Sequence, residues 1–170
     1  SLLHHIMKTA GETSYLCGNI GIPMSCYADG VYSSVCCCEV SSFQLEYTEE
    51  FKPHISAVLN IGKDHLNRHK SQQNYIDAKK RIFANQKKTE FTVLNFDCPY
   101  CRTFFEDARS DVYWYSLNQK VRGAYLLEDA IMFEGAYITD TDKLLIPGRH
   151  NLSNSLAAVC MAGIYGVPAE

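Results

Sequence analysis

The sequence predicts an α/β fold, with a mostly parallel sheet flanked by helices and a small antiparallel annex. Two observations support this prediction. In the first part of the chain, apolar runs typical of buried strands alternate with segments of helical periodicity, which is the pattern of parallel strands joined by helical crossovers. In the later part, short apolar runs are separated only by turn residues, which indicates antiparallel hairpins.

The parallel part of the sheet is predicted from four nearly continuous apolar runs, as expected of strands that are buried on both faces. They span residues 35–40, 55–61, 91–95 and 111–116. Helices are predicted where apolar residues recur at helical spacing, at residues 1–10, 75–84, 99–108 and 151–165. The hairpin strands of the annex are predicted at residues 124–127, 130–133, 136–138 and 143–146.

The composition limits the classes of protein to consider. Of the 170 residues, 46% are hydrophobic and 21% are charged, which is enough to build one core. No apolar run approaches the roughly 20 residues of a membrane helix, and a net charge of −3 argues against a nucleic-acid partner. Three of the eight cysteines are consecutive, so they cannot all line one face of a strand, which favours a reducing compartment. We therefore expect a cytoplasmic protein with no membrane or nucleic-acid partner, and nothing indicates its oligomeric state.

The segment Cys98-Pro-Tyr-Cys101 allows two interpretations. It follows a predicted strand and opens a predicted helix, where a thiol pKa is lowered, and it resembles the active-site tetrapeptide of the glutaredoxins, which are thiol oxidoreductases. The alternative is structural, with Asp97 as the helix cap, Pro99 in the first turn and two incidental cysteines. The structural interpretation is favoured, because a glutaredoxin would carry this motif near its N-terminus and a cis-proline after it.

A pair of histidines, His65 and His69, has the spacing of metal ligands on a helix. The residues between them are Leu-Asn-Arg, so the glutamate that acts as the base in zinc proteases with this spacing is missing. The sequence therefore gives only weak support to a zinc site.

Charged and metal-ligating side chains are predicted at the carboxyl ends of two neighbouring strands. Glu39 lies inside an apolar run, where a carboxylate is costly unless it binds something, and Asp64 and His65 follow the next strand. Ligands gather at this edge of an α/β sheet, so we expect Glu39 and His65 to face one cleft, with Glu39 as a magnesium ligand beside a phosphate. Lys79 lies on the apolar side of the next helix, where it either extends to solvent or serves the site.

Five segments, taken in order, resemble the Mur ligases. They read GNIGIP at residues 18–23, EVSSFQLE at 39–46, NIGKDH at 60–65, DAK at 77–79 and GRHNLSN at 148–154. The ordered set covers most of the chain. Within the family, the first two segments are most similar to the ligases that add D-glutamate to UDP-N-acetylmuramoyl-L-alanine.

The resemblance implies an ATP-dependent ligase of peptidoglycan synthesis that activates a carboxylate as an acyl phosphate, which the amine of the incoming amino acid then attacks. It implies three domains, of which residues 1–170 resemble the central ATP-binding one. The N-terminal UDP-binding domain, the C-terminal domain, and the first strand and phosphate loop of the central domain are expected outside the chain. ATP, two Mg²⁺ ions and a carbamylated lysine are the implied cofactors.

The resemblance also assigns roles to residues. Glu39 resembles the acid that binds the magnesium bridging the ATP phosphates, and His65 a ligand of the second magnesium. Lys79 resembles the lysine that carbon dioxide carbamylates, so Lys79 and His65 are the implied catalytic residues and both are implied metal ligands. Asn19 and Ser41 match positions that contact the UDP-muramoyl substrate, and Asn151 and Asn154 match positions near the adenine.

Residues 1–170 on their own are expected to have no ligase activity, because the backbone N–H groups of a phosphate loop would hold the ATP phosphates. The chain alone would then be a non-catalytic α/β binding module. Phosphate release from ATP with UDP-N-acetylmuramoyl-L-alanine and D-glutamate measures this, with the whole ligase as the positive control. Release from the chain alone would contradict the expectation.

Overall fold

A computed structural model describes residues 1–27, 33–62 and 69–169. The helices and strands, in chain order, are α1 (Leu2–Thr9), β1 (Ser14–Gly18), β2 (Val35–Glu39), α2 (Ser42–Leu45), β3 (Ile55–Val58), α3 (Gln72–Lys80), β4 (Phe91–Asn95), α4 (Pro99–Thr103), β5 (Asp111–Ser116), β6 (Gly123–Leu127), β7 (Ala130–Phe133), β8 (Ala136–Asp140) and α5 (Arg149–Tyr165). Short 3₁₀ turns lie at Met24–Tyr27, Phe104–Glu106 and Thr141–Lys143. Within these described ranges, no helix is long and apolar enough to cross a membrane.

The strands form a parallel pair and a larger mixed sheet. β1 pairs with β2, and six strands follow in the order β3-β4-β5-β6-β7-β8. The pairs from β3 to β6 are parallel, whereas β6, β7 and β8 are antiparallel. The predicted α/β class is confirmed, and the antiparallel annex continues the parallel sheet through β6.

The core lies on both faces of the six-stranded sheet. Val93 and Leu94 are neighbours on β4 and both are 0% exposed, because the pleat directs them to opposite faces and each face is covered. On the face covered by α5, the buried residues include Val93, Tyr115, Ile131, Leu156 and Cys160. On the face covered by α3 and α4, they include Ile76, Leu94, Cys101, Phe104 and Val112.

The structure differs from the sequence prediction at five places. β1 and α2 were not predicted, since each is too short to show a periodicity. The strand predicted at residues 143–146 is absent, and Leu145 there is 97% exposed. β2 is not buried on both faces, because Cys36 is exposed. The helix predicted at residues 99–108 ends at Thr103 and continues as a 3₁₀ turn.

A buried side-chain amide joins β3, β4 and the loop that follows α3. Gln86 is 1% exposed, and its Oε1 accepts hydrogen bonds from Ser56 Oγ at 3.0 Å and from Thr92 Oγ1 at 2.6 Å. Its Nε2 donates to the carbonyl oxygens of Pro53 at 2.8 Å and Phe91 at 3.0 Å. The amide therefore has partners on both its oxygen and its nitrogen, as burial of a polar group requires.

Replacing this amide is expected to destabilise the fold. Gln86→Leu keeps the approximate volume but removes the partners of two hydroxyl groups and two carbonyl groups, so the free energy of unfolding should fall by about 2–4 kcal/mol. Denaturant unfolding measures the change. Gln119 is exposed, and Gln119→Leu is the control, expected to change the free energy by no more than about 0.5 kcal/mol. Equal effects of the two variants would contradict the importance of the network.

Candidate functional site

Hydrogen bonds tie together the loops that follow β3, β4 and β5 at one edge of the sheet. The carbonyl oxygen of Leu59, just after β3, accepts from Asn95 Nδ2 at 2.8 Å and from Tyr115 Oη at 2.7 Å. Asp97, after β4, accepts from Ser116 Oγ at 2.7 Å. The carboxyl edge of a parallel sheet is where α/β proteins bind ligands, so these bonds fix the floor of the candidate site.

Asp97 has a different role from the one predicted for it. Cys98, not Asp97, is the N-cap of α4. The second carboxylate oxygen of Asp97 accepts from the backbone N–H of Leu117 at 2.7 Å, so this side chain holds the loop after β5.

Glu39 and Asn19 lie side by side at the ends of the parallel pair. Asn19 Nδ2 lies 3.3 Å from Glu39 Oε1, and the Asn19 backbone N–H donates to the Glu39 carbonyl oxygen at 2.7 Å. Gly18 makes this approach possible, because its φ is +96° and a Cβ atom there would lie 2.2 Å from that same carbonyl oxygen. Glu39 is exposed, so the expected cost of burying its carboxylate is absent. Its position at the strand end is what favours a ligand role.

Ser41 begins α2 and forms a capping box with Gln44. Ser41 Oγ accepts from the Gln44 backbone N–H at 3.2 Å, and the Ser41 backbone N–H donates to Gln44 Oε1 at 2.9 Å. These bonds satisfy backbone donors at the start of the helix. Ser41 follows Glu39 by two residues, so the helix begins directly after the end of β2. Its contact with a substrate stays a prediction.

His69 joins α2 to the segment that leads into α3. Its Nε2 lies 2.9 Å from Ser42 Oγ and its Nδ1 lies 2.8 Å from Glu46 Oε1, while its ring packs between Phe43 and Tyr75. The side chain is 0% exposed and both nitrogens face protein groups. The zinc interpretation of the histidine pair is therefore wrong for His69.

Lys79 lies near the end of α3. Its Nζ lies 5.9 Å from the centre of the Tyr75 ring, and the side chain is partly buried. Burial lowers the pKa of Lys79, and the nearby Cys101 and Glu39 groups offset part of that change. The structure thus brings Lys79 of α3 within electrostatic reach of Glu39 at the end of β2.

The N-terminus of α5 carries the two asparagines predicted to lie near adenine. Asn151 Nδ2 donates to the carbonyl oxygen of Pro147 at 2.8 Å, and Asn154 is partly buried one turn later. Burial raises the pKa of Tyr115, and the side chain of Ser153, between the two asparagines, offsets part of that rise, while Tyr115 Oη donates to the Leu59 carbonyl oxygen after β3. This end of α5 therefore adjoins the carboxyl edge of the sheet.

His65 lies outside the described residues, so its approach to Glu39 stays a prediction. Within the described part of the chain, no group of three or more His, Cys, Asp or Glu side chains is placed to hold a metal ion. Sequence reasoning missed Asn95, Asp97 and Tyr115. The signal that would have found Asn95 is the one used for Glu39, a polar residue at the end of a buried strand.

The family model for the Mur ligase middle domain matches residues 1–162. This chain belongs to the Mur ligase middle domain family. UDP-N-acetylmuramoylalanine--D-glutamate ligases from Thermoanaerobacter sp. (strain X514) and Listeria monocytogenes are 41% and 38% identical to it over its whole length. The chain spans 39% and 38% of the length of those two relatives.

Solved Mur ligases share the fold. MurF from Acinetobacter baumannii gives a TM-score of 0.74 at 19% identity, over 98% of this chain and 40% of that one. MurF from Thermotoga maritima, in complex with ADP, gives a TM-score of 0.71 at 16% identity, over 99% of this chain and 43% of that one. Both similarities confirm the α/β architecture.

The close approach at Gly18 can be tested against a matched glycine. Gly11 has a φ of +87°, and nothing lies within 4 Å of the position that a Cβ atom would take there, so Gly11→Ala should cost only the left-handed strain of about 1–2 kcal/mol. Gly18→Ala adds a clash with the Glu39 backbone and should cost about 1–3 kcal/mol more. Thermal or denaturant unfolding gives both values, and equal costs would show that the Gly18 contact is not tight.

Proposed function

We propose that this chain forms the ATP-binding centre of a UDP-N-acetylmuramoylalanine--D-glutamate ligase, a cytoplasmic enzyme of peptidoglycan synthesis. Relatives of that name are 38–41% identical over the entire chain. The observation that carries the proposal is that Lys79 lies within electrostatic reach of Glu39, because this relates two residues from segments that resemble the family's metal site. The free state of all eight cysteines agrees with a reducing compartment.

The proposed reaction joins two substrates through an acyl phosphate. The terminal carboxylate of UDP-N-acetylmuramoyl-L-alanine attacks the γ-phosphorus of ATP, which forms the acyl phosphate and releases ADP. The amine of D-glutamate then attacks the acyl carbon, the carbon–oxygen bond to phosphate breaks, and the new amide and inorganic phosphate leave. Asn19 and Ser41 are proposed to contact the muramoyl substrate, and Asn151 and Asn154 the adenine.

Two described residues have the chemistry of magnesium ligands once Lys79 is carbamylated. Glu39 offers an exposed carboxylate at a strand end, and Lys79 in its carbamylated form would offer two further oxygen atoms, which hard cations prefer. Carbamylation needs the neutral amine, and the burial that lowers the pKa of Lys79 favours that form. His65 is proposed as a ligand of the second ion. When bound, the two ions would neutralise the charge that develops during phosphoryl transfer and acyl attack.

Lys79→Ala in the whole ligase is expected to abolish turnover, with a loss of at least about 100-fold, or about 2.7 kcal/mol on the barrier. A small added carboxylic acid should restore part of the activity, because it supplies the missing oxygen atoms. Lys80→Ala is the matched control. Lys80 is directed to an ion pair with Asp107 at 2.7 Å and has no role in the proposed site, so its loss should leave turnover nearly unchanged.

Three results separate the possible roles of Lys79. Unchanged turnover in Lys79→Ala would exclude a catalytic role. Loss without rescue by any carboxylic acid would exclude the carbamate. Loss with rescue in Lys79→Ala, but not in Lys80→Ala, is the result that supports the proposal.

A further inference from the structure

Two cysteines lie at the start of α4, directly beside the candidate site. Cys98 is the N-cap residue and is partly exposed, whereas Cys101 is 0% exposed in the core one turn later. The two thiol groups shift each other's pKa, which lowers that of Cys98 and raises that of Cys101. One sulfur is therefore open to a reagent from solvent, and the second is held behind it.

Both sulfurs also interact with backbone groups around the end of β3. Cys101 Sγ lies 3.8 Å from the carbonyl oxygen of Val58, the last residue of that strand. The backbone of Ile61, three residues further on, is one of the groups that lower the pKa of Cys98. Lys79 lies close enough to Cys101 for the two groups to interact electrostatically. The pair thus connects α4 to the strand end and to the lysine of the proposed site.

The local geometry allows a disulfide with a small adjustment. Residues three apart in the first turn of a helix have Cβ atoms about 5–6 Å apart, and a disulfide needs about 3.5–4.5 Å. Cys98 has extended backbone angles outside the helix proper, so its side chain can turn towards Cys101 without unwinding a helical residue. The hydrogen bond from Cys101 is the main cause that lowers the pKa of Cys98 to about 5, which supports a reactive thiolate at this position.

We propose that Cys98 and Cys101 form a reversible redox pair that a hydroperoxide converts to a disulfide. The Cys98 thiolate attacks one peroxide oxygen, the O–O bond breaks, and Cys98 becomes a sulfenic acid while hydroxide, or an alkoxide from an organic peroxide, leaves. The Cys101 sulfur then attacks the sulfenic sulfur, the S–O bond breaks, and water forms with the thiol proton. The two sulfurs together lose two electrons, and the peroxide gains them.

Oxidation changes the contacts at the end of β3. Cys101 loses its one thiol hydrogen, for which the Val58 carbonyl oxygen and the Cys98 sulfur are the neighbouring acceptors, and Cys98 loses the thiolate charge that the Ile61 backbone stabilises. Both changes occur next to the residues that follow β3, and Lys79 is close enough to Cys101 to interact with it electrostatically. Disulfide formation is therefore expected to lower ligase turnover, an expectation that rests on the proposed function.

The chemistry can be tested without any assay of activity. The protein is treated with hydrogen peroxide, and its mass is measured intact and after proteolysis. The expected result is the loss of two hydrogen atoms, mapped to a Cys98–Cys101 disulfide and reversed by dithiothreitol. Cys98→Ser should abolish this product. A variant with both Cys26→Ser and Cys36→Ser, which removes two exposed cysteines elsewhere, should form it as the wild type does.

Three other results of this experiment would each contradict the proposed redox pair. These outcomes are two unreacted thiols, a sulfinic acid on Cys98 without a disulfide, or a disulfide that links either cysteine to a different partner. A product that persists in Cys98→Ser would also overturn it.

Turnover of the whole ligase tests the regulatory part. Peroxide should lower turnover of the wild type about tenfold or more and dithiothreitol should restore it. The double variant Cys98→Ser and Cys101→Ser should remain within a few-fold of the reduced wild type and resist peroxide. Full turnover of a ligase that carries the disulfide would overturn the regulatory role. Absence of ligase activity in the reduced wild type would instead overturn the proposed function and leave the mapped disulfide standing.

Discussion

The parallel alignment of β3, β4 and β5 is the constraint on which the candidate site depends. It places the ends of three strands at one edge, where the Leu59 carbonyl oxygen accepts from both Asn95 and Tyr115. The N-terminus of α5 adjoins this edge, since the side chain of Ser153 acts on the pKa of Tyr115. The loops after these strands are therefore fixed relative to one another. A site that aligns several reacting groups needs such fixed positions.

The helices and strands that the sequence predicted correctly are those with long or repeated apolar patterns. β4 reads as a continuous apolar run, and it is buried on both faces as that run predicts. β1 and α2 are too short for a periodicity to be visible, so only their tertiary pairing defines them. Residues 143–146 show the opposite error, because an apolar run next to Pro147 resembles a strand but has no partner strand beside it among the described residues.

From the sequence, only those site residues could be selected that lie at the ends of strands or inside segments that resemble the family. Glu39 and Asn19, both selected from the sequence, are in contact, and Lys79 lies within electrostatic reach of Glu39. The ligand contacts assigned to these residues stay predictions. The roles of His69 and Tyr115 could not be predicted, because each depends on partners that are distant in sequence. His69 binds α2 to the start of α3 through Ser42 and Glu46, so it links the helix of Ser41 to the helix of Lys79. Only the folded chain shows such a link.

The proposed metal site is tested most directly by ¹³C NMR of the whole ligase equilibrated with ¹³C-labelled bicarbonate. If Lys79 carries a carbamate beside a metal held by Glu39, a carbamate resonance is present, disappears in Lys79→Ala, and is broadened when paramagnetic Mn²⁺ replaces Mg²⁺. Glu39→Gln should keep the resonance and weaken the broadening. A resonance that survives in Lys79→Ala, or one that Mn²⁺ leaves sharp in the wild type, would contradict a carbamate at this site.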